Sequence, residues 1–299
     1  MDLRQWPQYG NFLSLIGWKV EKTKFGLVFI HKIPLLNCSV IKIQRPKNPI
    51  DFKKIDEIAK SYHALFIIIE PSHKNFQVEK FNESGFVTSH LTLAHTSTIY
   101  VDLNLSEKNL WKTFSENARR NIRKSQANNL KIKIIDLSKE SDDQEFKKFF
   151  SLLKNLTEMK KFYVPGYDEY YKKFLSFKNN SFLFFAYQDT ELIAGIWIGY
   201  YRKTTVYMQT GITKTGYEKL ANYLLVWEAF KKAKRLKVKT FDFEGIFDPR
   251  LPHEHKSWKS FSEFKKRFHG EIIEYPLSQI KIYNPFFKLI YFLSKFLPV

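Results

Sequence analysis

Between Phe182 and Gly245 the chain reads as three strands in succession, a long helix and a fourth strand, and that order restricts its fold more than any other feature. The strands are "FLFFAY", "ELIAGIWIGY" and "TTVYMQTG", and the helical stretch "YEKLANYLLVWEAFKKAKRL" leads into "VKTFDFEG". Short runs rich in β-branched and aromatic residues are strands, whereas longer amphipathic stretches are helices. The first half repeats the alternation, with strand runs at 26–30, 39–43, 64–69, 98–103 and 131–136. Ser141 and Gln144 fit a capping box, which satisfies two free amide donors at a helix start. The expected architecture is α/β, with a helix-flanked mixed sheet in each half and a join near residues 137–141. No short-period repeat or Gly/Ser linker is visible, so close packing of the halves is expected. "IFDPRLPHEHKSW" reads as a loop from its prolines and clustered polar residues, and its length marks it for function.

With 299 residues, 44% hydrophobic and 17% aromatic, the chain can bury a real core and is neither disordered nor collagen-like. A formal net charge of +19 points to polyanionic partners: tRNA, nucleotide-linked substrates or an anionic membrane face. A genome of biased base composition would also enrich Lys, Ile, Asn and Phe, so the positions of the arginines say more than the total charge. Cys38 is the single cysteine, which excludes an internal disulfide and a multi-cysteine metal site, and its apolar strand suits simple packing. "MDLRQWPQYGN" has no apolar h-region, so no secretory signal is expected and the expected location is the cytoplasm. No stretch reaches the ~18–20 apolar residues of a spanning helix. The nearest, "NPFFKLIYFLSKFLPV", is broken by Lys288 and Lys295. It can pack on the first domain or, as in a non-catalytic tRNA- or membrane-binding protein, lie in the membrane interface as an amphipathic helix.

The arginines gather in "LSEKNLWKTFSENARRNIRKSQANN". With Ser106 as N-cap, Leu110, Phe114, Ala118 and Ile122 fall at intervals of four on one apolar stripe of a single helix, with Trp111 beside it. Lys112, Arg119, Arg120, Arg123 and Lys124 fall on the other side. Arg rather than Lys matters here, because the planar guanidinium binds carboxylate or phosphate bidentately. A solvated face with Glu116 pairing to Arg120, or a tie between domains, are the plainer readings.

"LWKTFSENARRNIRKSQANNLKIKIID" resembles the helix-and-strand signature of the Fem aminoacyltransferases. "ANYLLVWEAFKKAKRLKVKTFDFEGIFD" and "WKSFSEFKKRFHGEIIEYP" are similar in order and spacing to that family's carboxy-terminal region. The likeness spans roughly residues 95 to 299, with a looser match at "FLSLIGWKV". It implies two GNAT-like domains, residues 1–137 with 277–299 packing back on them, and residues 138–276, in a compact form without the helical arm of some relatives. It also implies transfer of an amino acid from aminoacyl-tRNA to the stem peptide of a peptidoglycan precursor, either lipid II or UDP-MurNAc-peptide. No cofactor or metal is implied, and a monomer with peripheral contact to anionic membrane is the expected state.

Aminolysis of an aminoacyl ester passes through an oxyanion, and a fixed cation or amide donor there is worth roughly 3–4 kcal/mol. The resemblance places that role on Lys265, beside Phe264 in "SEFKKRFHG", where the family pattern has two glycines and this chain has His269 and Gly270. His at that position can exploit its tolerance of positive φ. Taken alone, the basic run is a solvated face, with Phe261, Phe264 and Phe268 as a core stripe turning the lysines outward. The resemblance assigns substrate contacts to Tyr217, Asp102, Lys161, Tyr163 and Tyr167, and Arg119 and Arg123 are candidates from the arginine helix. Tyr217 also suits helix-start packing and Asp102 a strand-end cap. His253 and His255 lack a third ligand and read as surface residues, not a metal site. Asp242 or Glu244 can act as a base or pair with a lysine. An acetyl-CoA transferase needs backbone amides to cradle a pyrophosphate, and "KTGYEKLAN", with Gly216 before bulky Tyr217, does not offer that loop.

Overall fold

The computed structural model describes residues 1–73, 76–139, 143–161, 164–254 and 256–294. It divides into two compact units, residues 1–96 with 274–299 and residues 97–273. In chain order the strands are β1 (Lys19–Thr23), β2 (Gly26–Lys32), β3 (Ser39–Gln44), β4 (Ala64–Glu70), β5 (Val87–Thr88), β6 (Ser97–Asp102), β7 (Lys131–Asp136), β8 (Ser181–Gln188), β9 (Glu191–Tyr201), β10 (Thr204–Ile212), β11 (Thr240–Asp242), β12 (Glu271–Glu274) and β13 (Gln279–Ile282). The first sheet has the order β1-β2-β3-β4-β13-β5 and the second β12-β6-β11-β10-β9-β8-β7.

Both sheets contain the same motif. In the first unit β1, β2 and β3 run antiparallel, the helix Phe52–Ser61 crosses over, β4 returns parallel to β3, and β13 lies antiparallel beside β4. In the second, β7 to β10 run antiparallel, the helix Ala221–Arg235 crosses over, β11 returns parallel to β10, and β6 lies antiparallel beside β11. The strand runs read from sequence are thus these strands, and each sheet is mixed and flanked by helices. In β8, Phe182, Phe184 and Ala186 belong to the core under Ala221–Arg235. Trp197 of the neighbouring β9 meets Phe149, Phe174 and Phe177 of the helices Asp143–Lys160 and Tyr167–Phe177. A strand covered on both faces is apolar at successive positions, which explains the unbroken run in "FLFFAY".

Three expectations are corrected. The division falls at residues 96/97 rather than 137/138, because β6 pairs with β11 and β7 with β8, drawing residues 97–136 into the second sheet. The arginine-bearing segment is two helices, Glu107–Thr113 and Glu116–Ala127, since Phe114 is extended and Ser115 caps the second by accepting from the Ala118 amide at 3.1 Å. The stripe survives the break: Leu110, Phe114, Ala118 and Ile122 are all buried. The long helix after β10 is likewise interrupted, with Leu220 left-handed (φ 58°) between Lys214–Glu218 and Ala221–Arg235. Ser141 of the capping box lies outside the described residues; the helix is described from Asp143.

Candidate active site

The two parallel strand pairs differ where it matters. β3 and β4 stay paired to Gln44↔Glu70, and the Arg45 amide still reaches the Glu70 carbonyl at 2.7 Å. β10 and β11 pair only through Val206↔Asp242, although β10 runs on to Ile212. Past Asp242 the chain instead follows β6, with amides of Phe243 and Ile246 donating to carbonyls of Ile99 and Ser97, each at 3.0 Å. The strands part into a fork at their carboxyl ends, the place where ligands enter open α/β sheets.

The floor of the fork is built from short side chains. Asp242, 1% exposed, accepts at Oδ1 from the Thr98 hydroxyl at 2.5 Å and the Glu244 amide at 2.8 Å. This holds Glu244 left-handed, φ 58°, and turns the Gly245 carbonyl toward Lys265, whose Nζ donates to it at 2.7 Å. Lys265 is 7% exposed, with its Nζ 4.8 Å from the Phe261 ring centroid and 5.9 Å from that of Tyr207. Burial pulls its pKa down from 10.5 to about 8, against the opposing pull of the Glu244 and Asp242 charges. Burial also raises the pKa of the Tyr207 hydroxyl, against an opposing pull from Thr210. A bulge between Tyr207 and Gln209 distorts β10 at this point; such bulges re-aim side chains beside sites.

Lys265 stands on the helix Lys259–Lys266, which sequence reading took as a basic run. Of the expected Phe261–Phe264–Phe268 stripe, Phe268 is fully buried and Phe264 packs against the core while Phe261 is exposed; the stripe does not turn Lys265 outward, because Ser262 and Lys265, three residues apart, are buried as well. Ser262 fixes the helix by accepting from the Phe247 amide at 2.8 Å and donating to the Trp258 carbonyl at 2.6 Å. Phe264 is half-buried and packs edge-on against Tyr223 and Phe268, so it shapes the core behind Lys265. His269 does take positive φ, 46°, while a Cβ on Gly270 would stand 2.5 Å from the Tyr100 carbonyl oxygen. Of the two positions, the second has no room for a side chain.

The other expected residues scatter. Tyr217 is half-exposed under the Lys160 ammonium, 5.2 Å from its ring centroid. Asp102 is exposed at the far end of the β6–β11 pair, opposite Thr240, and accepts from the Asn104 amide at 2.9 Å as a turn cap. Lys161 is exposed just past the helix Asp143–Lys160. Tyr167 packs its ring against Phe146 and Phe150. Tyr163 and His255 lie outside the described residues, and His253 is exposed. Among the described residues no cluster of His, Cys, Asp or Glu is arranged to hold a metal ion.

The arginine helices line a surface groove of about 530 Å³ formed by Trp111, Lys112, Glu116, Arg119, Arg120 and Arg123. Arg119 is engaged locally, donating to the carbonyls of Lys112 and Phe114 at 3.0 and 2.9 Å, and so closes the end of the first helix. Arg123 is exposed, its guanidinium 5.5 Å from the Trp111 ring centroid. Sequence reading missed Thr98, Tyr207, Gly245 and Ser262; nothing in short-range spacing marks them, because the fork joins segments 15 to more than 140 residues apart.

Residues 116–259 match the family described as acetyltransferase (GNAT) domain. A tandem GNAT protein from the clavulanic acid biosynthesis pathway superposes with a TM-score of 0.53 over 89% of this chain and 83% of its own, at 8% identity. The fold is a tandem GNAT fold. The crystal structure of FemX superposes on it with a TM-score of 0.80, covering 97% of this chain and 94% of FemX at 15% identity. The C-terminal domain of a putative lysylphosphatidylglycerol synthetase from Agrobacterium fabrum follows at 0.65, over 98% and 93%, with 9% identity. No curated protein matches the chain. In the GNAT frame Gly216 stands after β10, where the pyrophosphate loop of an acyl-CoA enzyme would lie. A Cβ there would meet the Ile193 carbonyl oxygen at 2.3 Å, so this glycine serves close packing on β9.

Proposed function

We propose that the protein is an aminoacyltransferase that moves an amino acid from aminoacyl-tRNA to the stem peptide of a peptidoglycan precursor, lipid- or UDP-linked. The observation that carries this reading is the cationic Lys265 buried where β10 and β11 part, in the motif "FDFEGIFD … SEFKKRF" that resembles the Fem pattern. The near-complete superposition on FemX supports it.

The ester is already activated, so no covalent nucleophile is required. The acceptor amine attacks the ester carbonyl carbon; the carbonyl oxygen takes the developing negative charge. Collapse of the intermediate breaks the bond to the tRNA ribose oxygen, which leaves with the proton lost by the amine. Lys265 has one N–H on Gly245 and further donors for the oxyanion. Held by Ser262 and the Asp242–Thr98 turn, it needs no reorganisation as charge develops. Tyr217, though half-exposed, is near enough to act electrostatically on Tyr207, whose ring lies by Lys265, and is a candidate contact for the acceptor peptide. Arg123 and Arg120 face outward for phosphates of the charged tRNA, whereas Arg119 acts through the helix ends it ties.

The test incubates purified protein with a mixture of charged tRNAs and either precursor, and reads the product mass. A gain of one amino-acid residue mass on the precursor supports the reading; acetyl transfer from acetyl-CoA, with no aminoacyl product, replaces it.

A further inference from the structure

The helix Pro285–Ser294 has two apolar faces, and among the described residues only one is used by the fold. On the inward side the Phe287 ring stacks on Phe66 with centroids 4.8 Å apart, and Tyr291, 2% exposed, stacks on His90 at 4.5 Å. On the outward side Phe286, Leu289, Ile290 and Leu293 are 72%, 59%, 46% and 57% exposed. Their spacing of three, four and seven residues is that of one helical stripe. The loop that carries His90 also exposes Leu91 and Leu93. No helix among the described residues is long and apolar enough to cross a membrane.

Two occupants compete for this stripe, and size and charge choose between them. The four exposed side chains of this ten-residue helix offer on the order of 400 Å² of accessible surface, about half of the roughly 800 Å² per partner in a stable dimer. Two copies each carrying +19 also repel. An anionic bilayer answers both objections: it attracts the charge, accepts a shallow insertion of few side chains, and lets the exposed Lys288 extend its stem toward the headgroups. We propose that the outward face of this helix inserts into the interfacial layer of an anionic lipid bilayer. The inference does not rest on the proposed transfer reaction, and its test involves no turnover.

The experiment is vesicle flotation of the full chain with phosphatidylcholine vesicles, with and without phosphatidylglycerol. Wild type floats with the anionic vesicles and little with the neutral ones. Leu289→Glu/Leu293→Glu, folded by circular dichroism, loses about tenfold or more of its partitioning. Equal flotation of this variant would place the binding elsewhere on the basic surface, and absence of wild-type flotation would end the proposal. A wild-type dimer that the double substitution dissociates would make a second copy the occupant. As an independent reading, a polarity-sensitive dye on Leu289→Cys, in a Cys38→Ser background, shifts to shorter wavelength on anionic vesicles; an unshifted emission overturns the insertion.

Discussion

Replacing Lys265 by Met separates what the lysine costs the fold from what it does for chemistry. The ammonium is buried, and a fall in proton affinity from 10.5 to about 8 corresponds to about 3 kcal/mol of disfavoured charge, at ~1.4 kcal/mol for each tenfold change. Met keeps the length and removes that penalty, but strands the Gly245 carbonyl that Lys265 satisfies, which costs about 1–3 kcal/mol. The two nearly cancel at neutral pH, so the pH dependence is the informative quantity. Between the folded value of about 8 and the unfolded 10.5, the unfolded wild-type chain holds a proton that the folded chain has released. Raising the pH through that window therefore favours folded wild type, while the Lys265→Met variant has no group there to respond. Urea unfolding of both proteins at pH 7 and at about pH 9.5 should show wild type gaining about 2 kcal/mol on the variant. The other titrating groups are common to both and drop out of the difference. A stability difference that stays constant over this range would refute the buried cation.

Further substitutions address the supports of the site. Ser115→Ala removes the cap between the two arginine-bearing helices and should lower stability by about 1 kcal/mol in thermal unfolding. Gly270→Ala should destabilise by about 2 kcal/mol or more, because its Cβ would press on the β6 backbone, whereas His269→Gly should be neutral or stabilising by up to about 1 kcal/mol at its positive φ. Arg123→Glu should weaken binding of charged tRNA and reduce the salt dependence of that binding by about one counterion or more, measured by filter binding over a salt series. Unchanged affinity and slope would remove the groove from tRNA binding.

Much of the fold was legible because strand and helix periods are local. The three-strand meander, the crossover helix and β11 could be read from Phe182 to Gly245 since each run's burial pattern is written in consecutive residues. What escaped depended on single side chains or on pairing at a distance. Ser115 and Leu220 interrupt helices whose apolar stripes continue across the break, so periodicity alone passes over them. The unit boundary escaped because β6 is claimed by β11 through partners about 140 residues away. At the site, Lys265 was found through motif resemblance, yet its burial was not readable from "SEFKKRF": bonds to distant segments, from Phe247 to Ser262 and from Lys265 to Gly245, turn that face inward. Asp102 carried the same local signal as a functional carboxylate and proves to cap a turn at the other end of the strand.

On the proposed reading, the Lys265 cation stabilises the oxyanion formed during aminoacyl transfer. Single-turnover transfer from charged tRNA to a peptidoglycan precursor, followed by product mass for wild type and Lys265→Ala, tests it most directly. Lys265→Ala should lose roughly 10²–10³-fold in the rate of the chemical step, with charged-tRNA binding unchanged. Wild-type turnover by the Lys265→Ala protein would contradict it.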